Sequence, residues 1–374
     1  MAGALTQSSS VLAAVVGAAT LCILVLSKFV VAAGGASTTS TSLVPAVYIF
    51  GDSTVDTGNQ KYLTTLITSD YPPYGRDFVP PGPTGRFSNG KLANDFGAER
   101  LGLPYAVNYL DQSATVQNYL QGVNFASSGS GYLNITGYIL GVETVDEQLA
   151  FFRKVKEAII ASIGVNAAEE HMQKSFFLMS TGSNDFINLY NIDPIIQAMY
   201  TPAEYEDLLI SALSGYIQAL YSYGARKIAV DSLAPLGCLP QQVGLFSKAG
   251  ECVDSINEPV ISFNAATKNL LIQLNSTLPG SYLVYFNTYD PIYEARNNPA
   301  AYGFQYGKEA CCGSGAYSGL SPCTTLNVCN VSDAHVFWDL FHPTEKMYGM
   351  LADGYWSGPP SLAYPYNLQQ LVTF

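Results

Sequence analysis

The chain has 374 residues, 48% of them hydrophobic, enough apolar material for a large core in one domain. With 17 Lys and Arg against 29 Asp and Glu, a net charge of −12 and no basic cluster, it would be repelled by a phosphate backbone, which excludes nucleic acid as a partner. The same charge gives no attraction to an anionic membrane surface.

Residues 1–36 read as a secretory signal peptide: an apolar run over 11–26, then Lys28, then small residues ending in Ala32-Ala33-Gly34-Gly35-Ala36. The segment before the run carries no Lys or Arg and the run is long, so an uncleaved signal anchor is the competing reading. Residues 37–43 are expected to form a flexible N-terminal segment and 44–374 a single domain, with no membrane span once the signal is cleaved. The run 44–50 reads as a buried strand that ends in Gly51-Asp52-Ser53. A serine at a strand's carboxyl end has its hydroxyl at the mouth of an α/β sheet, near backbone N–H groups that stabilise an oxyanion, although Ser and Asp also simply cap helices.

Further strand-like runs follow at 122–126, 176–181, 227–233 and 282–287, with helical patterns between them. Thr144-Val145-Asp146-Glu147 is a capping box leading into Leu149, Phe152, Val155 and Ile159 on one helical face. Thr201-Pro202-Ala203-Glu204 is another, with Gly224 as the stop. This alternation predicts an α/β fold, a three-layer α/β/α sandwich of about five parallel strands, with active groups outside their carboxyl ends.

The second run leads into Gly129 and the third into Gly182-Ser183-Asn184-Asp185. A glycine lets its N–H approach a substrate closely, and a side-chain amide can donate to an oxyanion; both are also ordinary turn chemistry. The chain has three histidines. His342 follows Asp339 by three residues, a spacing that lets the carboxylate reach a ring N–H and leave the other nitrogen to take a proton from Ser53. Pro343 places the pair on a loop entering a helix. His335, two residues after Asp333, is the competitor; His171, in Glu169-Glu170-His171-Met172-Gln173, reads as a solvated helix end.

Cys22 lies in the leader, and Cys238, Cys252, Cys311, Cys312, Cys323 and Cys329 remain, an even number that favours disulfides in an oxidising compartment with the pairing left open. Zinc is disfavoured, since there is no Cys-x-x-Cys and the spacing does not suit a tetrahedral site. Asn134, Asn275 and Asn330 open N-x-Ser/Thr glycosylation triplets. The stretch 71–86, rich in Pro, Gly and aromatics, and the Cys-rich insert 311–329 are expected to shape the cleft, with Tyr74, Phe78 and Phe87 lining an acyl or sugar subsite or else packing within the loop.

These blocks together resemble the plant branch of the GDSL esterase/lipases, also called SGNH hydrolases. The resemblance covers nearly everything after residue 43 and includes Ala-Pro-Leu-Gly-Cys-Leu-Pro at 234–240, Asn-Pro-Ala-Ala-Tyr-Gly-Phe at 298–304 and Ala-Cys-Cys-Gly at 310–313. It implies a flavodoxin-like sandwich and a secreted enzyme of the apoplast or cell wall, without metal or organic cofactor. Ser53 would be the nucleophile, with Asp339 and His342 as orienting acid and general base. The N–H groups of Ser53 and Gly129 and the Asn184 amide would form the oxyanion hole. Two positions depart from the pattern, Thr54 where leucine is expected and Ser128 where glycine is usual. The expected partner is a carboxylic ester, of a lipid or of an acylated small molecule or polysaccharide. An acyltransferase using the same acyl-enzyme, and an extracellular binding protein with a lapsed site, are the alternatives.

Overall fold

The computed structural model describes residues 42–374, so the leader and most of the N-terminal segment lie outside the described residues. Nine strands follow in chain order: β1 Val47–Gly51, β2 Val107–Asn108, β3 Gly122–Asn124, β4 Phe176–Ser180, β5 Lys227–Asp231, β6 Tyr282–Phe286, β7 Tyr306–Ala310, β8 His335–Phe337 and β9 Ala363–Tyr364. Seven form one sheet in the order β2-β3-β1-β4-β5-β6-β9, and β7 pairs with β8 beside it. The five expected runs are β1, β3, β4, β5 and β6, all parallel. The two edge strands were not expected: at two residues each, β2 and the antiparallel β9 are too short to show a hydrophobic period.

Helices cover both faces of this sheet. Thr144 accepts from the Glu147 N–H and the Glu147 carboxylate accepts from the Thr144 N–H, opening the helix Val145–Ile163. Thr201 and Glu204 do the same for Pro202–Ser222. From the first of these helices Phe152 meets Tyr48, Phe50 and Phe177 edge to face, sealing one side of β1 and β4. The opposite face carries Val47 opposite Phe176 and Ile49 opposite Leu178. There Phe286 stacks on Tyr355 of the helix Glu345–Ser357, with ring centroids 4.4 Å apart. No helix among the described residues is long and apolar enough to cross a membrane.

Among the parallel strands the chain steps from β1 to β3 on one side and then to β4, β5 and β6 on the other, so the winding reverses at β1. A crevice opens outside the carboxyl ends where the winding reverses. Ser53 follows β1 by two residues and lies there. A second, smaller core of Tyr74, Phe87, Trp338 and three cysteines joins the stretch 71–87 to the Cys-rich insert. The disulfides pair Cys311 with Cys329, Cys312 with Cys323, and Cys238 with Cys252.

Candidate active site

The turn at Ser53 is built by its neighbours. Gly51 has φ 147°, and a Cβ there would lie 2.0 Å from the Ser180 carbonyl oxygen, so only glycine lets β1 and β4 close around this point. Asp52 then accepts the Thr54 N–H and hydroxyl on Oδ1, at 2.9 and 2.8 Å. No α-helix follows the serine directly. Gly58, at φ 130°, and Asp56, which accepts the N–H groups of Gly58 and Asn59, bend the chain into turns and a single 3-10 turn over Asn59–Tyr62.

His342 Nε2 lies 2.8 Å from Ser53 Oγ. Its Nδ1 lies 2.8 Å from Asp339 Oδ1, and Asp339 also accepts the backbone N–H groups of Phe341 and His342. All three side chains are buried to within a tenth of their surface. The pair sits on the loop before the helix Glu345–Ser357, as the proline predicts. Burial alone would raise the Asp339 carboxyl; the His342 charge and these hydrogen bonds hold it below the usual carboxylate range.

His335 and His171 stand elsewhere. His335, in β8, stacks on Tyr306 and has Nδ1 3.0 Å from the Glu309 carbonyl. His171 is not a solvated helix end: its Nε2 lies 3.0 Å from the Tyr48 hydroxyl, which lies under the sheet's packed face. Its signal was hidden because the partner is on β1.

Gly129 and Asn184 line the same cavity as Ser53, Asp339 and His342, a space of about 300 Å³. The backbone N–H groups of Ser53 and Gly129 donate to no other atom of the described residues. The Asn184 amide donates to the Ser130 carbonyl at 2.9 Å and faces Asp52 Oδ2 at 3.4 Å. The two departures from the family pattern each set a hydroxyl on a buried carboxylate. Thr54 Oγ1 bridges Asp52 Oδ1 and Ser180 Oγ, at 2.8 and 2.9 Å. The Ser128 hydroxyl and N–H both donate to Asp56 Oδ2, at 2.7 and 3.1 Å, fixing the residue before Gly129. Asp185 binds the loop beyond it through the N–H groups of Tyr132 and Leu133 and the Thr136 hydroxyl.

Of the loop aromatics, Tyr74 and Phe87 line the cavity and Phe78 does not. Phe78 lies instead against the Arg86 guanidinium, 4.9 Å from ring centre to carbon. The Tyr74 hydroxyl donates to Asp339 Oδ2 at 2.7 Å, and the Phe87 ring lies 4.8 Å from the His342 ring. Sequence reasoning missed these contacts and those of Asp56 and Asp185. Of the glycosylation triplets, Asn134 and Asn330 are exposed, whereas Asn275 is half-buried inside the helix Asp254–Thr277. Its amide exchanges two hydrogen bonds with the Leu283 backbone, at 2.8 and 2.7 Å.

Comparison with known proteins shows the family of the chain. Residues 47–354 match the model of the GDSL-like lipase/acylhydrolase family. The chain is 42% identical over 338 residues to GDSL esterase/lipase At5g03810 of Arabidopsis thaliana, covering 89% of this chain and 95% of that one. It is 39% identical over 357 residues to GDSL esterase/lipase 7 of the same plant, covering 93% and 98%. With its mostly parallel sheet flanked by helices, the chain belongs to the GDSL lipase/acylhydrolase family and is an ester hydrolase.

Proposed function

We propose that the protein is an exported serine esterase or lipase that cleaves carboxylic esters through an acyl-enzyme. The observation that carries this reading is the Asp339–His342–Ser53 alignment, with 2.8 Å at each of the two contacts. Asp339 on Nδ1 leaves Nε2 to accept the Ser53 proton as Oγ bonds to the ester carbonyl carbon. The negative oxygen so formed rests on the N–H groups of Ser53 and Gly129 and on the Asn184 amide, whose weak 3.4 Å contact with Asp52 is easily exchanged for it. Collapse breaks the bond to the alcohol, which leaves with the proton from His342. Water then repeats the attack and releases the acid, returning the proton to Ser53.

Export is supported by the apolar leader and by three disulfides in the described residues. In this reading residues 1–36 are removed and 44–374 act as one domain. Ser53→Ala deletes one oxygen from the turn, so fold is expected to persist while hydrolysis of an activated short-chain ester falls by orders of magnitude. A residue of about 10³-fold over water should remain from the oxyanion donors. His342→Ala should match that loss and His335→Ala should not. An unchanged rate in Ser53→Ala, with Ser53 unlabelled by a fluorophosphonate, would overturn the assignment.

A further inference from the structure

The Asn184 amide can donate to an oxyanion only if it faces the right way, and an amide turned over has nearly the same shape. On its nitrogen side stand two acceptors, the Ser130 carbonyl at 2.9 Å and Asp52 Oδ2 at 3.4 Å. On its oxygen side stands a donor: Asn188 Nδ2 lies 2.8 Å from Asn184 Oδ1. Turned over, Asn184 would set its oxygen against a carbonyl and a carboxylate, and its N–H groups against those of Asn188. It would also offer the growing oxyanion a lone pair in place of a hydrogen.

The local backbone puts Asn188 there. Past Ser183–Asp185 the chain widens into a π-helical turn, Phe186–Tyr190, in which the Asn191 N–H donates to the Phe186 carbonyl at 2.9 Å, five residues back. Turns of this kind recur beside functional sites. Phe186, Ile187 and Leu189 are buried and anchor the turn, and Asp185 ties its start to the loop beyond Gly129 through the Tyr132 and Leu133 N–H groups. Asn188 is exposed and lines the cavity, four residues after Asn184. An exposed polar pair at this spacing adds little to the stability of a helix, so the fold alone gives no reason for an amide here.

We infer that Asn188 is a positioning residue for ester cleavage, fixing and polarising the Asn184 amide through its oxygen. The inference rests on the oxyanion role proposed for Asn184. A donor on Oδ1 draws electron density from the amide nitrogen, so the N–H not taken by Ser130 donates more strongly; hydrogen bonds in series reinforce one another. That reinforcement grows with the charge on the substrate oxygen. It is therefore larger in the transition state than with substrate merely bound, and it raises kcat without lowering KM.

The test measures turnover of p-nitrophenyl acetate and inhibition by phenylboronic acid, which forms a tetrahedral, anionic adduct when boron takes up the Ser53 oxygen. The proteins compared are the parent, Asn188→Leu, Asn188→Asp, Asn188→Gln, Asn184→Ala and the double variant Asn188→Leu with Asn184→Ala. Asn188→Leu keeps the bulk and removes the donor. Its kcat and kcat/KM should fall together by about fivefold, with the boronate Ki rising by the same factor and Tm nearly unchanged. Asn188→Asp presents an acceptor and a charge, favours the turned-over amide and should cost more than about tenfold. Asn188→Gln keeps a donor and should run faster than Asn188→Leu. Once Asn184 is alanine, Asn188→Leu should cost nothing further, because its whole effect passes through the missing amide. Parent rates in both Asn188→Leu and Asn188→Asp, a change in KM alone, or the full fivefold loss persisting in the double variant would each overturn the inference. An Asn184→Ala rate equal to the parent's would instead sink the oxyanion reading beneath it.

Discussion

At the scale of single residues, the orienting role proposed for Asp339 depends on the hydroxyl of Tyr74. Asp339 Oδ1 is shared among His342 Nδ1 and two backbone N–H groups, whereas Oδ2 receives its shortest hydrogen bond from Tyr74. Removing that donor leaves a buried carboxylate oxygen short of a partner and frees it to turn. Tyr74→Phe is therefore expected to lower kcat about tenfold with KM nearly unchanged, because the ring still fills its place against Phe87 and Trp338. Tyr74→Ala should lower Tm as well. Equal kcat in Tyr74→Phe and parent would show that Asp339 is held without it. Asp339 and His342 were legible because their relation is local, three residues apart on a loop. Tyr74 was not, since its partner is 265 residues away and nothing in a proline-rich loop announces which ring will carry a bonded hydroxyl. Asp56 hid for a similar reason: its turn contacts look self-sufficient, and its hold on Ser128 spans 72 residues.

At the scale of elements, the stretch 71–87 and the Cys-rich insert act as one brace. Arg76 Nη1 donates to the Cys329 carbonyl at 2.7 Å, and its guanidinium lies 5.1 Å from the Trp338 ring centre, one residue before Asp339. Sequence composition predicted that these segments would shape the cleft. Their pairing was illegible, because six cysteines admit many connectivities and only folding selects among them. The strands and capping boxes were legible, each resting on a pattern within a few residues. No α-helix follows Ser53 directly, because local side-chain bonds of Asp56 outcompete helical ones there. Replacing Cys311 and Cys329 by serine removes a link worth roughly 2–4 kcal/mol, so Tm should fall by several degrees. Turnover should fall too, measured well below that Tm, because the brace carries Tyr74 and Phe87. A lower Tm with unaltered kcat would separate the brace from the chemistry.

At the scale of the whole molecule, the acidic charge and the buried carboxyls set how stability depends on pH. Burial raises Asp52, Asp56 and Asp185 to about 6 and Asp231 to about 7, each partly offset by hydrogen bonds. A carboxyl whose folded value lies above its unfolded one binds its proton more tightly in the native state. Its contribution is complete below the unfolded value and is lost as pH rises through about 6 or 7. His171 and His335 oppose this, since burial lowers both and their contribution is lost as pH falls. Four carboxyls outweigh two imidazoles, and protonation also relieves the self-repulsion of a chain at −12. Tm is therefore expected to rise between about pH 8 and about pH 5, and to fall at stronger acidity, where Asp339, held low by His342, takes up its proton. Calorimetric Tm measured over a pH series checks both the rise and the later fall. A Tm that declines steadily from about pH 8 downward would mean that the buried carboxyls find partners or water that keep them ionised at no cost.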